Sequence, residues 1–196
     1  MNENHAKVCG SPEWAALIQD EVLPWLTRDA DLGQDMLEIG PGPGAATGWL
    51  RERVGHLTAV EVDAEAARKL ADKYPERSVS IVTGSAAELG YPDESFDSVG
   101  TFTMLHHVPT LAGQNKILAE ALRVLRPGGV LIGSDSLGGN DLHHFHEGDT
   151  YNPVDPAGLL ARLQTLGFAD ITIKVDGMLK FVAHRPAAAG AQECPS

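Results

Sequence analysis

Met36-Leu37-Glu38-Ile39-Gly40-Pro41-Gly42-Pro43-Gly44-Ala45-Ala46-Thr47 is the stretch on which the fold turns. Its opening residues form a short apolar run that stops at three glycines and two prolines, so it reads as a buried strand followed by a turn. Glu38 stands out inside that run, because a carboxylate among apolar neighbours costs desolvation energy unless hydrogen-bond donors meet it. Glycines at Gly40, Gly42 and Gly44 permit positive φ and carry no Cβ, so main chain and helix amides can approach a ligand closely. A tight connector with no ligand is the plainer alternative.

Upstream, Ser11-Pro12-Glu13 combines an N-cap, a proline at the first helical position and an acid near the helix's positive end. Trp14, Leu17, Ile18, Val22, Trp25 and Leu26 then recur at three and four residues, predicting one amphipathic helix that Pro24 bends or shortens. Downstream, helices are expected at about 45–53, 64–74, 112–125 and 155–166, and strands at 57–62, 79–82, 98–103, 130–134, 171–175 and 179–183. Arg126-Pro127-Gly128-Gly129 reads as the stop before the 130–134 strand. Alternating strands and helices predict an α/β, doubly wound, mostly parallel sheet, with the last two strands as an antiparallel edge hairpin. The expected organisation is an N-terminal helical segment over 1–35, the sheet domain over 36–185, and a disordered tail over 186–196.

A length of 196 residues suits one domain. Fifteen basic residues against 27 acidic ones give a net charge of −12, which argues against a polynucleotide partner. No apolar run approaches the roughly 18 residues that span a bilayer, and no secretory signal is visible, so a soluble cytoplasmic protein is the expectation. Cys9 and Cys194 form neither a disulfide framework nor a metal-ligand spacing, and no metal is expected.

Glu61, about 20 residues beyond the glycine turn, closes the second strand where a carboxylate can accept both hydroxyls of a ribose. Gly40, Gly42 and Ala45 also satisfy the looser dinucleotide pattern, so these features alone admit either a dinucleotide or another nucleoside.

The stretch Leu37 to Thr47 resembles the first motif of the class I S-adenosylmethionine-dependent methyltransferases. Ala59-Val60-Glu61-Val62-Asp63, Gly84 to Leu89 with Pro92 to Asp97, Met104-Leu105-His106-His107 and Leu125 to Gly129 resemble the family's further motifs in order and spacing. The similarity covers about half the chain, from Met36 to Asp135. It implies a Rossmann-like, seven-stranded, three-layer αβα domain with S-adenosyl-L-methionine over the first two strand ends. Gly40, Gly42 and Gly44 would then pass beneath the methionine and ribose, and Glu38 would organise the loop and the amino end. Glu61 would take the ribose and Val62 the adenine. Asp63 is either an adenine contact or, preferably, the N-cap of the next helix. Phe102 would offer its carbonyl to the cofactor's ammonium. Ser85, with Ala86 beside it, stands where the family often has an aspartate bonding the adenine amino group, and a neutral hydroxyl holds it less strongly.

Methyl transfer needs mainly alignment, and a base only for a protonated acceptor. His144 and His146, in a cluster with His143, Glu147 and Asp149, are the candidate bases, against the plainer reading of a polar loop; metal binding is a third reading without a legible ligand set. Trp14, His106, Asp135, Ser136 and Tyr151 are the candidate acceptor contacts, with core packing favoured for Trp14 and a structural role for His106. The expected activity is methyl transfer to a small molecule, with an NAD-dependent oxidoreductase or a non-catalytic cofactor-binding module as alternatives. Monomer and homodimer are both compatible with the sequence.

Overall fold

A computed structural model describes residues 7–139 and 146–188. The run that opened the sequence reading is β1, Asp35–Ile39, in which side chains alternate between the two faces of the sheet. Met36 joins one apolar cluster, while Leu37 and Ile39 join the other. β1 pairs in parallel with β2, His56–Glu61, on one side and with β4, Phe96–Phe102, on the other. β3, Val79–Thr83, extends the sheet beyond β2. On the opposite flank come β5, Leu125–Asp135, then β7, Leu179–His184, and β6, Ala169–Val175, at the edge. The order is β3-β2-β1-β4-β5-β7-β6, with β7 antiparallel to both its neighbours. Winding reverses at β1, so the carboxyl ends of β1 and β4 diverge into a crevice.

Helices cover both faces. The N-terminal helix comprises α1, Pro12–Leu17, a π turn over Ile18–Val22, and α2, Leu23–Thr27. It runs on past Pro24, where a bend or an early end was expected. A proline ring collides with the carbonyl four residues back in an α-helix, and the wider turn just before it relieves that conflict. Ile18, Val22, Leu23 and Leu26 are buried against Met36, Leu57, Val130 and Ile132, so this segment is one layer of the fold. Each such burial contributes about 2 kcal/mol.

α3 is only Thr47–Leu50, shorter than the expected 45–53. The glycine turn occupies the preceding residues, with Gly44 N donating to Pro41 O, and delays the helix start. α4, Ala64–Lys73, follows β2 and is capped by Asp63, whose Oδ1 accepts from Glu65 N and Ala66 N. α5, Leu111–Val124, and α6, Pro156–Leu166, cover the other face through Ile117, Leu118, Leu159 and Leu163. Gly167 ends α6 in the left-handed conformation, φ 107°.

The expected stop at 126–129 lies within β5 instead. Phe96 pairs with Leu125 and Ser98 with Val130, so the intervening residues bulge out. The bulge carries Arg126 to Asp97 and Asp35, at the end of the sheet opposite the crevice. Burial pushes the Asp97 carboxyl up, but bonds from the Asp35 amide, Arg126 and the Gln34 amide outweigh it and leave it below its ordinary value. His143, His144, Cys194 and residues 189–196 of the expected tail lie outside the described residues.

Candidate functional site

A cleft of about 570 Å³ opens at the carboxyl ends of β1, β2 and β4. The three glycines of the turn divide the work. All have positive φ, but a Cβ on Gly40 would strike Met104 and one on Gly44 would strike Leu70, whereas one on Gly42 would meet nothing within 4 Å. Gly42 and Gly40 line the cleft; Gly44 is not among its lining residues. Close packing therefore accounts for Gly40 and Gly44, and Gly42 is the position where bare main chain faces open space.

Glu61 is turned into the cleft and 8% exposed. Gly42 N donates to its Oε2 at 3.0 Å and Asp63 N to its Oε1 at 3.1 Å. Each carboxylate oxygen carries two acceptor sites, so one on each remains for a ligand hydroxyl. Val62, next along, is 74% exposed on the same wall, an apolar side chain held out into the crevice. Asp63, Ser85 and Ala86 complete that end, with Ser85 Oγ accepting from Ala87 N at 3.3 Å.

Glu38 lies beneath the turn, 1% exposed, and Thr47 Oγ donates to its Oε2 at 2.7 Å. Burial pushes its carboxyl up to about 7; the Thr47 bond opposes the rise and the Glu61 charge adds to it. Thr47 is the donor that a carboxylate in an apolar strand demanded, and the nine-residue separation gave no hint of it. Phe102, 8% exposed, ends β4 on the cleft wall with its ring in the N-terminal helix's cluster.

Trp14 borders the far end of the cleft together with Met104, His107, Val108, Asp149 and Thr150. Cys9 is also on the wall, its thiol pushed up to about 11 by burial and so protonated at neutral pH. Of the expected acceptor contacts, His106, Asp135, Ser136 and Tyr151 are not among the residues lining this cleft. His106 is 2% exposed with Nδ1 2.6 Å from Asp135 Oδ1, and Asp135 is fully buried. Ser136 borders a second, smaller depression with Lys180 and Asp176. His146, 4% exposed, stacks on Tyr151 with ring centroids 4.2 Å apart. Sequence reasoning singled out His106 where the neighbouring His107 reaches the wall, because a short 3₁₀ turn, Leu105–His107, decides which ring turns outward.

A methyltransferase-domain family model matches residues 37–133, from β1 through most of β5. The chain belongs to the class I S-adenosylmethionine-dependent methyltransferases. A probable S-adenosylmethionine-dependent methyltransferase of Mycolicibacterium smegmatis is 32% identical over 69% of this chain and 52% of its own length. The chain spans about half the length of the curated relatives it matches. A Pyrococcus horikoshii protein shares the fold, with a TM-score of 0.75 at 17% identity over 94% of this chain and all of that one. So does Haemonchus contortus phosphoethanolamine N-methyltransferase 2, solved with S-adenosyl-L-methionine, with a TM-score of 0.72 at 16% identity over 89% of this chain and 56% of that one.

Proposed function

We propose that this methyltransferase-family chain binds S-adenosyl-L-methionine in the cleft and transfers its methyl group to a small-molecule acceptor in the cytoplasm. The observation that carries the proposal is the opening at Gly42, where a Cβ would project into empty space beside the inward-facing Glu61 carboxylate. Glu61, already oriented by the Gly42 and Asp63 amides, would accept the ribose hydroxyls. Val62 would cover one face of the adenine, with Ser85 and Ala86 at its edge. Glu38 and the backbone at Phe102 would serve the methionine end. When bound, the cofactor supplies an activated methyl group on a neutral leaving group.

The acceptor would enter at the end bordered by Trp14, Met104, His107, Asp149 and Thr150, which hold it near the cofactor and exclude water. Trp14 and Met104 offer an apolar surface there and His107, Asp149 and Thr150 polar contacts, which suits a small acceptor that carries a polar group. His146, buried behind that wall, would act by positioning. Among the described residues no helix is long and apolar enough to cross a membrane. The nicotinamide alternative is set aside, because the family uses S-adenosylmethionine.

Calorimetry with S-adenosylhomocysteine and with NAD tests the cofactor assignment: S-adenosylhomocysteine binds and NAD does not. NAD binding without S-adenosylhomocysteine binding would refute it. Transfer of labelled methyl to a panel of small acceptors tests catalysis, and cofactor binding without transfer to any would favour the non-catalytic module.

A further inference from the structure

We infer that His106, His107 and His146 form a binding site for a divalent transition cation of the zinc class, set in the wall at the acceptor end of the cleft. One ligand atom from each ring lies within 4.8 Å of the other two. The rings belong to two segments, the turn after β4 and the stretch beyond β5. Those segments are tied together by hydrogen bonds to main-chain carbonyls: Asn152 N donates to His106 O at 2.7 Å and the Asn152 side chain, through Nδ2, to Val108 O at 3.0 Å. Buried Gln114 donates to both Leu105 O and Asn152 O. Tyr151 stacks on His146 from behind. The fold therefore imposes the convergence of the three imidazoles; it is no accident of surface side chains.

Asp135 supplies a second, independent sign. Its Oδ1 lies 2.6 Å from His106 Nδ1 and also accepts from Ser136 N. A buried carboxylate in that position fixes the ring proton on Nδ1 and presents Nε2 as the donor atom, the arrangement that orients metal-ligating histidines. Three neutral imidazoles suit zinc, copper, iron or nickel and not magnesium or calcium. Zinc–nitrogen bonds of about 2.1 Å place tetrahedral ligands about 3.4 Å apart. An ion would thus draw the rings together by up to about 1.4 Å from their 4.8 Å limit. His107 is half-buried and lines the cleft, so the remaining coordination position adjoins the acceptor space and would take water or an anionic oxygen or sulfur atom. That last placement rests on the methyl-transfer reading; the cation site itself does not.

The test uses the full chain, stripped with a chelator and titrated with Co²⁺ alone, then with Zn²⁺ in competition. One equivalent of Co²⁺ should bind with the visible bands of a nitrogen-ligated ion, and one equivalent of Zn²⁺ should displace it. His107→Ala, at the least buried ligand, should weaken binding more than tenfold, and Asp135→Asn about 10–100-fold, with the far-ultraviolet spectrum retained. His143→Ala/His144→Ala should leave the affinity unchanged. Absence of stoichiometric binding, full affinity in His107→Ala, or loss confined to the His143→Ala/His144→Ala variant would overturn the inference. S-adenosylhomocysteine binding is measured on the same samples: retained there with no cation bound, it leaves only the metal site refuted; cation binding without it supports the metal site and refutes the methyl-transfer reading.

Discussion

Replacing Glu38 with glutamine should make the protein more stable, and by an amount that depends on pH. Glu38 is 1% exposed, and burial lifts its carboxyl from 4.5 to about 7. Between those values the native state holds a proton that the unfolded chain has released, so this group's contribution to stability falls as pH rises from about 4.5 and stays low above about 7. The gap, 7 − 4.5, at 1.36 kcal/mol per unit, comes to about 3 kcal/mol. Glutamine keeps the shape, still offers Thr47 Oγ an acceptor, and cannot ionise. Urea unfolding of the wild type and Glu38→Gln should therefore coincide near pH 4.5 and differ by about 3 kcal/mol at pH 8, a rise in Tm of roughly 6–12 °C. Comparing the two proteins at each pH cancels every other titrating group. A difference that stays flat from pH 4.5 to 8 would refute the reasoning, because it would mean that Glu38 ionises in the folded protein as freely as in the unfolded chain. At pH 8, where Glu38 is ionised in the wild type, the same variant should bind S-adenosylhomocysteine more weakly, since the anion beneath the turn is gone, so that stability and binding move in opposite directions there.

Gly42→Ala puts a methyl group into open cleft space at φ 51° and should cost about 1 kcal/mol, or 2–4 °C in Tm, while weakening S-adenosylhomocysteine tenfold or more by calorimetry; unchanged affinity would detach the glycine turn from the ligand. Glu61→Gln removes the charge that holds the Gly42 and Asp63 amides and should weaken the same ligand about tenfold, with little effect on an unrelated nucleotide control. Ile18→Ala opens a cavity between the N-terminal helix and the sheet and should cost about 3 kcal/mol in urea unfolding, with Trp fluorescence and far-ultraviolet circular dichroism moving together. If only fluorescence shifted, the helix would be a separately melting unit.

What the sequence made legible was whatever a few neighbouring residues decide. The apolar run at Met36–Ile39 against its glycines fixed β1, and Asp63 before Ala64 fixed a cap that the hydrogen bonds display. The alternation of strands and helices fixed the layers and the antiparallel pair at the edge. Features settled by distant partners were hidden. Residues 126–129 read as a stop because the strand that absorbs them bulges only in register with Phe96 and Ser98. Gly40, Gly42 and Gly44 look equivalent along the chain, and only Met104 and Leu70, from other elements, tell them apart. The histidine spacing around 143–146 drew attention to one loop, while the fold brings His146 to His106 and His107, far away in sequence.

β7 follows β6 in the chain yet lies inside it. Among the described residues β6 has β7 as its sole sheet neighbour, so β6 joins the sheet only through β7, and without β7 the strand β5 remains an open rim. Cutting the chain just before Leu179 would strip two strands at a stroke and bare Val130–Asp135, a row of unpaired backbone groups that invites strands from other molecules. Damage at this flank would announce itself as aggregation, well before any gradual decline in what the distant crevice does.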